Sequence, residues 1–117
     1  MVDSADHKEL ALEVARQSLV LLKNGGRLLP LRRNLNILVA GDGADDIGKQ
    51  CGGWTVSWEG DGNTNADFPG GSSIWDGIRE AVEGAGGKAT LSRNGAFTTR
   101  PDVAIVVFGE DPYAETN

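Results

Sequence analysis

Two tryptophans, Trp54 and Trp58, stand four residues apart in the stretch CGGWTVSWEGD, with Gln50, Ser57, Glu59 and Asp61 beside them. Flat apolar rings set among glycines and polar side chains form a candidate sugar-binding surface. The apolar face of a pyranose stacks on an indole, and its hydroxyls need hydrogen-bond partners. The bland alternative is that both indoles pack their loop against the body of the protein. Carboxylates are the other groups able to do chemistry here. Glu59 or Asp61 near the tryptophans, paired with Glu110 or Asp111 further on, would be the acid and base of a small atypical glycoside hydrolase if the two segments converged. The spacing alone does not bring them together. Asp42, Asp45 and Asp46 form an unspaced acidic group, which reads as a capped, solvated turn ahead of a divalent-cation site. Arg32 and Arg33 read as a solvated turn ahead of an anion clamp.

These residues depend on the elements around them. Ile37, Leu38, Val39 and Ala40 form a short apolar run ended by Gly41, as in a strand covered on both faces. Gly41 and Gly43 permit a tight turn, and the aspartates that follow are suited to accept from free amides where a helix begins. Gly52 and Gly53 release the chain into the tryptophan segment. The sequence GDGNTNADFPGGSS reads as a long loop that borders a site or rests on another domain. Ser72 or Ser73 then caps a helix with Ile74, Trp75, Ile78, Ala81 and Val82 on its apolar face, ended by Gly84, Gly86 and Gly87. Trp75 on that stripe reads as core. A short strand is expected at Lys88 to Leu91, and a second clear buried strand from Val103 to Phe108. Glu110, Asp111, Pro112, Tyr113, Ala114 and Glu115 follow that strand's carboxyl end, where ligands gather in open α/β sheets.

Ahead of the first strand, Ser4 is a helix N-cap and the helix continues to about Gln17, with Leu10, Val14 and Ser18 on a face expected to pack as core. Leu19 to Leu22 read as a short strand or as the buried end of that helix. Leu28 to Leu31, with Pro30, read as an extended segment. The sum is an α/β fold: a partial three-layer sandwich with a mostly parallel sheet flanked by helices. It divides into a lead-in helix and connector over 1–34 and a sheet core over 35–117. No helix follows the last strand to cover its outer side, so the domain reads as truncated. An exposed sheet edge of that kind predicts homo-oligomerisation or exchange of elements.

Composition narrows the partners. The chain has 117 residues, 11 Lys and Arg against 17 Asp and Glu, and a formal net charge of −6. That balance argues against nucleic acid and anionic membranes as partners. One cysteine, Cys51, and one histidine, His7, provide neither an internal disulfide nor a conventional zinc site. No cofactor is expected. Gly41, Gly43 and Gly48 follow a strand, but their Gly-x-Gly-x-x-x-x-Gly spacing is too long for the dinucleotide fingerprint, and the neighbouring aspartates would repel a pyrophosphate. A nucleotide-binding module is therefore a remote reading. No run is long and apolar enough to cross a bilayer, and MVDSADHKEL has neither the basic start nor the apolar core of a signal peptide.

DHKELALEVARQSLVLLKN followed by LLPL, then NILVAGDGADDIGKQCGGWTVSWEG, then VAIVVFGEDPYAE, together resemble the opening of the second domain of glycoside hydrolase family 3. The likeness is to its β-glucosidases and β-glucan exohydrolases, covers nearly the whole chain and keeps the order of the family. It implies a parent enzyme that releases terminal β-linked glucose with retention, periplasmic or secreted, on a β-glucoside or β-glucan. In such enzymes a barrel domain carries the catalytic Asp nucleophile and the α/β sandwich carries the acid/base Glu. No stretch here resembles the nucleophile's barrel strand or the Gly-Ser-Glu-Gly type of motif. The resemblance therefore assigns no catalytic residue: Glu59, Glu110 and Glu115 are not equivalents of that Glu, and Glu59 and Glu110 remain weak candidates of the alternative reading. What it carries over is the binding surface, with Trp54 and Trp58 beside the substrate cleft and Trp58 stacked on a sugar in the outer subsite. The partner tryptophan of that clamp would come from the barrel. A stand-alone carbohydrate-binding module is the competing reading.

Overall fold

The computed structural model describes residues 4–115. They fall into two compact units, divided between Leu31 and Arg32.

The first unit contains helix α1, Ala5–Ser18. Ser4 caps it by accepting from the His7 amide, and Asp6 lies in the first turn, where the helix dipole favours an anion. The expectation that its apolar stripe packs as core is not met: Leu10 and Val14 are 62% and 60% exposed, and no residue of α1 is buried. The physical reason is that, among the described residues, α1 is the only helix or strand of its unit, with no second element there to cover the stripe. Leu19 to Leu22 are likewise neither a strand nor a buried helix end. Leu19 turns to extended backbone as the C-cap, and all four residues are exposed. The Asn24 side chain closes the following turn, donating to the Leu29 carbonyl at 2.9 Å and accepting from its amide at 3.0 Å.

The second unit is an α/β fold built on a three-stranded parallel sheet in the order β2–β1–β3. Strand β1, Asn36–Ala40, is central; β2, Lys88–Leu91, and β3, Val103–Val106, flank it. Its central place explains its composition, for Ile37, Leu38, Val39 and Ala40 are all buried. Register pairs Ile37 with Ala89 and Val103, and Val39 with Leu91 and Ile105, which puts those six residues on one face. Helix α2, Ile47–Cys51, follows β1, and helix α3, Ile74–Glu83, packs against β2. Ala44, Ile47 and Val82 complete the buried apolar set.

The start of α3 is held by a reciprocal cap. The Ser73 hydroxyl accepts from the Asp76 amide while the Asp76 carboxylate accepts from the Ser73 amide. At its far end the Gly87 amide reaches back to the Val82 carbonyl. Trp75 is half-buried, with the Arg79 guanidinium 5.7 Å from its ring centroid.

Strand β3 corrects the sequence reading. It ends at Val106, not Phe108, and its residues alternate between half-buried and exposed, with Val106 62% and Phe108 81% exposed. An edge strand is paired on one side only. On the Leu38 face the connection around Phe97, Arg100 and Pro101 lies along the sheet in place of a helix and leaves Ala104 and Val106 uncovered. No helix of the described residues is long and apolar enough to cross a membrane.

Candidate sugar-binding site

The candidate residues gather beyond the carboxyl ends of β1 and β3. After β1 the chain turns at Gly41, whose φ of +97° and contact with the Val107 backbone leave no room for a side chain. The Gly43 amide donates to the Val107 carbonyl at 3.1 Å, carrying the β1–β3 pairing past the end of the sheet. Each of the three aspartates of this turn has a structural partner, and Lys49 serves two of them. Asp46 caps α2 by accepting from the Lys49 amide at 2.8 Å, Asp45 accepts from the Asn65 side chain at 2.8 Å, and Asp42 pairs with the Lys49 ammonium at 2.7 Å.

Helix α2 ends at Gly52, with φ +74°, and delivers the chain into a tight reversal carrying both tryptophans. The Trp54 amide donates to the Trp58 carbonyl at 2.9 Å, and Trp54 and Val56 take left-handed backbone, with φ of +56° and +66°. Non-glycine residues in that region must be held by their surroundings. Asn63 does part of the holding, donating from its side chain to the carbonyls of Thr55 and Gly60, both at 2.9 Å. The Gly60 amide donates to the Ser57 hydroxyl at 3.1 Å. The backbone is thus pinned while the rings remain available, Trp54 being 65% and Trp58 57% exposed.

The segment after β3 meets this reversal. Glu59 accepts from the Ala114 amide at 2.8 Å, and the Tyr113 carbonyl lies so close to Gly53 that any side chain there would collide with it. Glu59 therefore joins the two loops through a charge-assisted hydrogen bond to backbone. Glu110 is exposed, as are Asp61 and Asp111. Between the loops lies an open hollow of about 210 Å³ whose lining includes Lys49, Asp61, Asn63 and Asp111.

Lys49 escapes a reading that looks for rings and carboxylates. Its ammonium contacts Asp42 at 2.7 Å, Asp111 at 2.8 Å and the Gly109 carbonyl at 3.3 Å, and its side chain is only 10% exposed. The hydrogen bonds to Asp111 and Asp42 raise its pKa, and the bond from Lys49 is the main cause lowering that of Asp42. A sequence signal did exist: Lys49 is the lone cation between Asn36 and Asp61, among carboxylates at 42, 45, 46, 59 and 61.

The model of the glycosyl hydrolase family 3 C-terminal domain matches residues 19–117. The chain belongs to that family. Among relatives of this family 3 domain, lysosomal beta glucosidase of Dictyostelium discoideum is 31% identical over 133 residues, covering 98% of this chain and 16% of that protein. Probable beta-glucosidase L of Aspergillus terreus is 35% identical over 124 residues, covering 92% of this chain and 16% of that protein. The crystal structure of exo-1,3/1,4-beta-glucanase from a Pseudoalteromonas species superposes with a TM-score of 0.92 at 56% identity, covering 96% of this chain and 14% of that one. The family 3 domain described here thus spans about a sixth of the length of these relatives.

Proposed function

We propose that this family 3 domain supplies one wall of a β-glucoside- or β-glucan-binding cleft, with Trp58 as the stacking surface for a glucosyl unit and Trp54 beside it. The observation that carries the reading is an indole left more than half exposed on a backbone pinned from both sides. A backbone fixed before the ligand arrives leaves less freedom to lose on stacking, which favours binding. Support also comes from the 56% identical relative, named for acting on β-1,3- and β-1,4-glucans. In this reading residues 1–34 act as lead-in and connector, 35–117 as the sheet core, and a barrel domain supplies the opposite wall and the nucleophile. The whole enzyme cleaves terminal glucose with retention, using two carboxyl groups about 5–5.5 Å apart. Glu59 serves as a loop anchor and Glu110 as a solvated carboxylate.

The test is an NMR titration of the chain with β-1,3- and β-1,4-gluco-oligosaccharides, following the indole N–H signals. Binding in the millimolar range is expected, with Trp58→Ala weakening it by roughly fivefold, the size of one stacking contact. Unchanged affinity in that variant would remove Trp58 from the site. Hydrolysis of an aryl β-glucoside by the chain, abolished by Glu59→Gln or Glu110→Gln in a folded protein, would instead establish the small atypical hydrolase.

A further inference from the structure

We infer that Lys49 is a positioning residue for the sugar-stacking surface, acting through the segment after β3; the sugar-binding part of this inference rests on the function proposed above. The segment 109–114 is held at two points. At its start, the Lys49 ammonium binds the Gly109 carbonyl at 3.3 Å and the Asp111 carboxylate at 2.8 Å. At its end, the Ala114 amide binds Glu59, the residue directly after Trp58. Lys49 is itself fixed by Asp42 and by its place in α2, so a path from the end of β1 to Trp58 runs through the carboxylate of Asp42, the Lys49 ammonium, the segment 109–114 and the carboxylate of Glu59.

The ammonium has three donors, and its three contacts use them, so none is left for a ligand. That distinguishes a clasp from a ligand-binding lysine. The burial of the Lys49 side chain, against the 93% exposure of Asp111, shows which half can be removed without disturbing the core.

The experiment uses Asp111→Ala and Lys49→Met in the full chain, with two readouts. The first is hydrogen exchange of the Ala114 amide, expected to accelerate at least about tenfold in both variants while the unfolding midpoint of Asp111→Ala stays at the wild-type value. Unchanged exchange in both overturns the inference. The second is a double-mutant cycle with Trp58→Ala on oligosaccharide affinity. Asp111→Ala is expected to weaken binding about threefold when Trp58 is present and to change nothing when it is absent. An equal loss in both backgrounds shows action away from Trp58 and also overturns it. If the wild-type chain binds no oligosaccharide, the sugar reading fails, and the exchange readout alone decides whether Lys49 holds the loop.

Discussion

Asp76 shows how much a single side chain settles in this chain. Its carboxylate accepts from both the amide and the hydroxyl of Ser73 and lies 3.1 Å from the Arg79 guanidinium. The Ser73 amide, then its hydroxyl, then Arg79 hold its pKa below the ordinary 3.8. A depressed folded-state pKa gives stability that is present above 3.8 and lost as pH falls through the lower folded value. Asp76→Asn is therefore expected to unfold more easily than wild type at neutral pH, with the difference shrinking in acid below 3.8, as read from urea titrations. Ser73→Ala, at a position only 3% exposed, removes the other half of the cap and should cost about 1 kcal/mol at neutral pH. The serine half of this cap was legible as Ser72 or Ser73 ahead of an apolar stripe; the Asp76 half was not read, and the structure supplies it. Lys49 was not read: it is a lone cation among carboxylates, but its partners Asp111 and Gly109 lie some sixty residues away, and the sequence does not say that it meets them.

At the scale of elements, glycines separate into those that make room and those that merely sit in a helix. Gly77 lies within α3 with open space around it, so Gly77→Ala should stabilise the domain by about 0.5–1 kcal/mol. Gly53 is the opposite case. A side chain there would drive into the Tyr113 carbonyl, so Gly53→Ala is expected to push the two loops apart and to weaken oligosaccharide binding along with stability. Thermal unfolding of the pair checks both directions. The elements themselves were largely visible in the sequence: β1, α3 and β2 lie where periodicity and capping put them. The exceptions share one cause. Leu10, Val14, Leu19 and Phe108 are apolar, and an apolar residue signals only that burial is favourable; whether a covering element exists is decided elsewhere in the fold. The tryptophan reversal was placed correctly as a loop, but the left-handed backbone of Trp54 and Val56 has no residue-type signal, since neither is glycine or asparagine.

For the molecule as a whole, the uncovered side of β3 carries a prediction about association. Val106 stands exposed on a strand paired on one side only and Phe108 just beyond its end, a combination that invites another chain. Concentration-dependent self-association is therefore expected in analytical ultracentrifugation under reducing conditions, and Val106→Lys with Phe108→Lys should shift the population toward monomer. A monomeric wild type at high concentration would show that the edge protects itself.

The sheet order has a temporal side as well. Every ladder partner of the central strand is made after it: the ribosome delivers Asn36–Ala40 first, and its first partner begins only at Lys88. During synthesis the strand that ends up most buried must wait unpaired while the long glycine-rich loop and α3 emerge, and all of its sheet contacts are distant in sequence. Such pairings are slow to form and leave sticky surface open in the interval. Nascent-chain stickiness is thus fixed by the same chain order that gives the finished sheet a fully buried centre.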